Sequence, residues 1–257
     1  MTDNFNFHII IPARFGSSRL PGKPLMDIGG KPMIQHVVER SRESGALSVV
    51  VATDDKRISD AVTGFGGEAV ITSSEHQSGS DRIAEAAILR GLDQEAIVVN
   101  VQGDEPDMPA ALIRQVARTL HEDAEASMST ASAQLDDESQ VLDPSVVKVV
   151  VDRNQYAMYF SRATIPWVRD NDSSAISIDA SRFIRRHLGI YAYRVGYICD
   201  FARRSPCQLE DLEKLEQLRA LWAGDRIKCV HAIESPGPGV DTLEDLQKIR
   251  KRYSRSK

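Results

Sequence analysis

An α/β fold with a mostly parallel central sheet is predicted by three observations. Short β-branched runs alternate with helix-length amphipathic segments through the first half, the runs are apolar at successive positions, and turn residues bound them. The runs His8 to Ile11, Leu47 to Ala52, Glu68 to Ile71 and Ala96 to Val101 have the character of strands covered on both faces. Between the first two, Pro32 suits a first helical turn, Met33, Ile34, Val37 and Val38 share a face, and Gly45 suits the position just past a helix end. A second helix follows Ser80, itself a candidate cap, with Ile83, Ala84, Ala87 and Ile88 at helical spacing and Gly91 as the stop.

The middle of the chain reads differently. Ser127 to Ala133, Val146 to Asp152, Tyr156 to Arg162 and Phe183 to Val195 are longer strand candidates with fewer helices between them, which predicts a smaller mixed β subdomain. Val168 to Ser181 is rich in Asp, Asn and Ser and keeps no apolar period, so irregular chain is expected there. The chain closes with a helix whose stripe is Leu209, Leu212, Leu215, Leu218, Leu221 and Trp222, then a strand, Ile227 to Ile233, and a shorter helix carrying Leu243, Leu246, Ile249 and Arg250. No internal repeat or low-complexity tract is visible.

Composition narrows the function. The 257 residues carry 32 basic and 37 acidic side chains, a net charge of −5, which argues against a main task of gripping nucleic acid. No apolar run approaches the roughly 18 residues of a membrane span, and Met1 to Phe7 has no charged segment leading into an apolar stretch, so a cytoplasmic protein is expected. Cys199, Cys207 and Cys229 are odd in number and lack CxxC spacing, which predicts buried free thiols rather than disulfides or zinc.

The first strand runs into Pro12-Ala13-Arg14-Phe15-Gly16-Ser17-Ser18-Arg19-Leu20-Pro21-Gly22-Lys23-Pro24, a loop bearing glycines and cations where open α/β sheets bind ligands. From Arg14 to Lys31 four cations stand against Asp27 alone, a local charge of +3 that suits a polyphosphate. It is not a Walker A loop, because five residues separate Gly16 from Gly22 and Pro24 follows Lys23. Nor does Gly64-Phe65-Gly66-Gly67 open a helix, as a dinucleotide fingerprint requires. On the residues alone, the loop also reads as a solvated turn.

At the end of the fourth strand, Gln102-Gly103-Asp104-Glu105-Pro106 offers a carboxylate that suits a magnesium–phosphate complex, and equally a turn before Pro106. Asp241 precedes Thr242-Leu243-Glu244-Asp245, which matches a capping box, so it reads either as a ligand or as part of a helix start. Arg182, Arg185, Arg186 and His187 lead into a strand on which His187, Gly189, Tyr191 and Tyr193 alternate onto one face, suited to a hydroxylated acid. His76 and Gln77 open the Ser78-Gly79-Ser80-Asp81-Arg82 loop at the ligand end.

Taken together, IIPARFGSSRLPGKPLMDIGGKPMIQH, VATDD, HQSGSDRIAEA, VNVQGDEP, YFSRATIPW, RRHLGIYAYR, LEQLRALW and GVDTLEDL resemble the 3-deoxy-manno-octulosonate (Kdo) cytidylyltransferase, or CMP-Kdo synthetase, family over nearly the whole chain. HLGIYAYR and LEQLRALW make the resemblance specific within the nucleotidyltransferase superfamily. It implies a Rossmann-like nucleotide-diphospho-sugar transferase fold in one domain over residues 1–257. Residues 1–125 and 225–257 would serve CTP and metal, and 126–224 the sugar acid and dimerisation. The implied reaction turns CTP and Kdo into CMP-Kdo and pyrophosphate for lipopolysaccharide synthesis, with Mg²⁺, in a cytoplasmic homodimer without nucleic-acid partners.

The resemblance also implies residue roles. Arg14, Arg19 and Lys23 would hold the CTP phosphates, Ala13, Gln77, Ser78, Gly79 and Arg82 would surround the nucleotide, and Gln102 would touch both ligands. Asp104 and Asp241 would hold magnesium, making Arg14, Lys23, Asp104 and Asp241 the catalytic set. Arg162, His187, Tyr191, Glu210 and Gln217 would line the sugar-acid pocket. Ser80-Asp81-Arg82 and Cys207-Gln208-Leu209-Glu210 depart from the common Thr-Glu-Arg and Ser-Pro-Leu-Glu. The residues leave open 8-amino-Kdo or a sialic acid as the acceptor, and a non-catalytic nucleotide-binding module.

Overall fold

Along the first strand Phe7, Ile9, Ile11 and Ala13 turn to one face and Ile10 to the other, and all are buried. Each such Ile contributes roughly 1.5–3 kcal/mol relative to exposure, so helices are required on both faces. The computed structural model describes residues 5–16, 20–135, 137, 139–169 and 184–255. In chain order the first half holds β1 (Phe7–Ala13), a 3₁₀ turn (Lys23–Leu25), β2 (Asp27–Ile28), β3 (Lys31–Pro32), α1 (Met33–Glu43) and β4 (Ser48–Thr53). Then come α2 (Lys56–Gly64), β5 (Glu68–Ile71), α3 (Gly79–Leu89), β6 (Ile97–Asn100) and α4 (Ala110–Glu122). The second half holds β7 (Met128–Gln134), α5 (Ser139–Leu142), β8 (Lys148–Val151), β9 (Ala157–Ser161), β10 (Arg185–Arg194) and α6 (Val195–Ala202). It ends with α7 (Gln208–Glu213), α8 (Leu218–Trp222), β11 (Ile227–His231) and α9 (Leu243–Arg255).

The central path is β11-β7-β10-β6-β1-β4-β5. β10 is antiparallel to β6 and β7, while β1, β4, β5 and β6 run parallel to one another, as do β7 and β11. Ile34, Val37, Ile58, Val62, Leu112 and Val116 from α1, α2 and α4 cover one face. Ile83, Ala87, Ile198 and Phe201 from α3 and α6 cover the other. The mid-chain strands join this sheet: β7, β10 and β11 extend it, and the antiparallel β8–β9 pair attaches at Arg185 and Arg186 of β10.

Three expectations are corrected. The final apolar stripe is two short helices, because Lys214 takes a left-handed conformation (φ 52°) at the end of α7; Leu212 is left 81% exposed while Leu215 and Leu218 are buried. The cap of α3 is Ser78, whose hydroxyl accepts from Asp81 N–H in a capping box, and not Ser80. The strand ending at Val195 gives way to α6. The stretch expected to be irregular lies outside the described residues from 170 onward. All three cysteines are free and buried.

Candidate active site

β1 and β6 are parallel neighbours, with Ile10 opposite Asn100, so the loops leaving their carboxyl ends lie side by side. Gly103 permits that approach, since a Cβ there would meet the Pro12 carbonyl at 3.0 Å. Lys23 opens the 3₁₀ turn, and its ammonium donates to Asp104 Oδ2 at 2.6 Å and Asp241 Oδ1 at 3.1 Å. Burial alone would lower the lysine pKa, but the two carboxylates, Asp104 first, outweigh it and hold it above the ordinary value. Asp241 is not the helix cap: Thr242 and Asp245 form that reciprocal pair, leaving the Asp241 carboxylate toward Lys23. Asp104 does stand in a turn, with Glu105 N–H donating to the Gln102 carbonyl, and the turn is what presents it.

These groups face a cavity of about 480 Å³ lined by Arg14, Lys23, Gln77, Gln102, Asp104 and Asp241, with Ala13 and Gly79 on its wall. The donor set fits a hard divalent ion, because Lys23 already shows that both carboxylates converge on one cation. Among the described residues no cluster of three metal-ligating side chains exists, so water and phosphate oxygens would complete such a site.

Ser78 and Arg82 are not in the lining of this cavity. Ser78 caps α3 and Arg19 lies outside the described residues. Arg82 is fully buried, paired with Asp54 at 2.7 Å and donating to the Thr72 hydroxyl, so it ties α3 to the ends of β4 and β5 and does not line the cavity.

A second cavity, of about 370 Å³, is lined by Gln140, Ser145, Arg186, His187, Tyr191 and Gln217. Tyr191 lies opposite Asn100, and β10 runs against β6, so residues of β10 before Tyr191 lie alongside the segment leading to Asp104. Burial pushes His187 down to about 3 and Tyr191 well above the usual tyrosine value, so both are neutral near pH 7. Thr130 Oγ1 donates to the Ile190 carbonyl at 2.8 Å, so its contact with His187 Nε2 at 2.9 Å is one it accepts. That assigns the proton to Nε2 and leaves Nδ1 as the ring's acceptor.

Two residues expected in this pocket are not among its lining. Arg162 donates to the carbonyls of Glu213 at 2.7 Å and Pro144 at 2.9 Å, which fixes the end of β9. Glu210 completes the cap of α7 and holds Arg219 through both oxygens, at 2.5 and 2.8 Å. A motif gives residue types; here Glu210 is engaged through both oxygens and Arg162 through two of its five N–H groups.

Sequence reasoning missed two carboxyls beside these cavities. Burial and the neighbouring Asp104 raise Glu105 to about 8 against the pull of Arg186, so Glu105 is largely protonated near neutral pH. Glu216 accepts the Ser80 hydroxyl at 2.8 Å, joining the start of α3 to the segment before α8, and burial raises it despite bonds from Ser80 and Ser78. The motifs QGDEP and LEQLRALW contain both residues, but burial is not readable from residue type.

The family model described as Cytidylyltransferase matches residues 8–227. The 3-deoxy-manno-octulosonate cytidylyltransferase of Idiomarina loihiensis is 51% identical over 247 residues, 96% of this chain and 98% of the relative. The enzyme of that name from Pseudomonas fluorescens is 53% identical over 246 residues, 95% of this chain and 97% of its own. The chain belongs to the 3-deoxy-manno-octulosonate cytidylyltransferase family. A solved structure of CMP:2-keto-3-deoxy-manno-octonic acid synthetase complexed with CTP superposes at TM-score 0.88 with 39% identity, covering 98% of this chain and all of the other. A 4-diphosphocytidyl-2C-methyl-D-erythritol synthase from Anaerococcus prevotii shares the fold alone, at TM-score 0.62 and 13% identity.

Proposed function

We propose that this chain transfers CMP from CTP to the anomeric hydroxyl of Kdo, giving CMP-Kdo and pyrophosphate for lipopolysaccharide biosynthesis. The observation that carries the reading is the convergence of Lys23, Asp104 and Asp241 at the carboxyl ends of β1 and β6, with a second cavity on β10 where His187 and Tyr191 are neutral and Arg186 supplies a cation. In this reading Arg14 and Lys23 neutralise the triphosphate, Ala13, Gln77 and Gly79 border the nucleotide, and Gln102, on the wall of the first cavity, touches both ligands. His187, Tyr191 and Gln217 orient the sugar acid by neutral hydrogen bonds.

The sugar hydroxyl attacks the α-phosphorus in line. The new P–O bond forms as the bond to pyrophosphate breaks, the hydroxyl proton is released, and no covalent enzyme intermediate is needed. The barrier is set by bringing two anions together and by charge on phosphoryl oxygens, so fixed cations and alignment supply most of the catalysis. A Mg²⁺ ion held by Asp104 and Asp241 would add Lewis-acid stabilisation of those oxygens. Lys23 would then shift its hydrogen bonds from the carboxylates to phosphate.

The division of labour between residues 1–125 with 225–257 and residues 126–224 is supported by the lining of the two cavities. A homodimer through the 126–224 part is supported by the exposed apolar side chains Leu142, Met158 and Leu212. A cytoplasmic site of action is supported by the use of CTP; no helix among the described residues is long and apolar enough to cross a membrane. The decisive assay measures pyrophosphate release with CTP and Kdo, 8-amino-Kdo or a sialic acid. Product with Kdo is expected. Product with a sialic acid alone, or with 8-amino-Kdo alone, would contradict the acceptor; none with any would contradict the enzyme.

A further inference from the structure

Asp104 and Asp241 meet at Lys23 although 137 positions apart in the chain, and Asp241 belongs to no strand of the sheet. One tie between their segments is backbone: Val240 N–H donates to the Asp104 carbonyl at 3.0 Å. A second lies three residues beyond Asp104. Asp107 Oδ1 accepts the Tyr253 hydroxyl at 2.8 Å and Oδ2 forms an ion pair with Arg252 at 2.8 Å. Both partners sit near the end of α9, the helix that begins immediately after Asp241 and Thr242. The approach is close, since a Cβ on Gly237 would stand 2.9 Å from Asp107 Oδ2.

We propose that Asp107 is a positioning residue that straps α9 and the 237–241 segment against the Asp104 turn, so that the two carboxylates are held at one separation. The proposal rests on reading Asp104 and Asp241 as the pair that meets CTP and its metal. The strap binds α9 at the end far from Asp241, while Leu246 and Ile249 bind its middle to Leu20, Ile28 and Met33. Tyr253 is fixed further by an edge contact with His36, ring centroids 4.7 Å apart, and Arg250 Nε donates to the Asp27 carbonyl at 2.8 Å. Burial and the Asp107 bond raise the Tyr253 phenol to about 12, so the hydroxyl keeps the proton it donates. A helix pinned at middle and end cannot pivot, and the residue preceding its cap cannot drift.

The test uses the full chain with Asp107→Ala, Asp107→Asn and Tyr253→Phe, and has two readouts. Manganese(II) binding in the presence of CTP is followed by electron paramagnetic resonance, and amide exchange is followed over residues 237–255. Asp107→Ala is expected to weaken manganese binding about tenfold and to speed exchange at 237–241 and at the Tyr253 end of α9. Asp107→Asn, which still accepts the tyrosine hydroxyl, should recover part of both effects. Tyr253→Phe loses one hydroxyl only and keeps the question answerable if Asp107→Ala fails to fold. Faster exchange with unchanged manganese affinity would overturn the positioning role and leave a structural tie. Asp241→Asn separates the two levels: if it weakens manganese binding and the Asp107 variants do not, the strap is wrong. If Asp241→Asn itself changes nothing, the site reading fails and the strap falls with it.

Discussion

The two cavities share one edge of the sheet yet are built from opposite electrostatics. The cavity at the ends of β1 and β6 gathers Arg14 and Lys23 against Asp104 and Asp241, and Lys23 is more firmly charged than a free lysine. The cavity on β10 keeps His187 and Tyr191 neutral by burial, with Arg186 as the cation in its lining. A triphosphate is recognised through charge, which tolerates imprecise geometry, whereas a sugar acid is told from its relatives by hydroxyl directions, which neutral donors and acceptors read. In the proposed reaction the first pocket would supply the chemistry and the second the choice of acceptor.

The largest expected effect tests where the charged cavity ends. Arg82→Met should cost about 3 kcal/mol of folding stability, because it strands Asp54 beside a buried site. Denaturant unfolding measures the loss, and CTP affinity in the variant that still folds should be unchanged. A normal midpoint with weakened CTP would return Arg82 to the nucleotide pocket. Next, Asp104→Asn and Asp241→Asn should each lose about 3 kcal/mol of transition-state stabilisation, on the order of 100-fold in kcat/KM at limiting magnesium, with the melting temperature little changed. Near-normal turnover would show two carboxylates that serve the fold alone.

Two smaller effects belong to the cavity on β10. His187→Ala should raise KM for the sugar acid by a factor matching about 1–1.5 kcal/mol, the worth of one hydrogen bond, while KM for CTP stays put. A parallel rise in both constants would mean that the pockets are not separate. The last effect is a pH slope. Burial lowers His187 from 6.5 to about 3, so between those values the unfolded chain binds a proton there that the folded chain does not. Stability should therefore fall as pH drops through that window, by at most about 1.4 kcal/mol per unit from this residue. Replacing His187 with Gln should flatten the slope, and an unchanged slope would show that the ring is protonated or open to water in the folded state.

Much of this was legible in the residues. The strands β1, β4, β5 and β6 follow from their apolar runs, and the glycine- and cation-bearing segment after β1 is the one that brings Arg14 and Lys23 to the first cavity. What residue type cannot convey is which partner reaches a side chain first. Arg82 and Arg14 are both arginines near a ligand end, but Asp54 and Thr72 take one, while the other lines the cavity. Glu210 meets Arg219, and Arg162 meets two carbonyls, through contacts between segments that no motif relates. The break between α7 and α8 was hidden because Lys214 is a good helix former that nonetheless adopts a left-handed turn.

The separation of the two pockets is tested most directly by calorimetric titration of CTP and of Kdo, each alone, into the unmodified chain, Lys23→Ala and His187→Ala. A crossed pattern is expected: Lys23→Ala weakens CTP by about tenfold or more and leaves Kdo unchanged, and His187→Ala does the reverse. Both variants weakening the same ligand, or either weakening both equally, would contradict it.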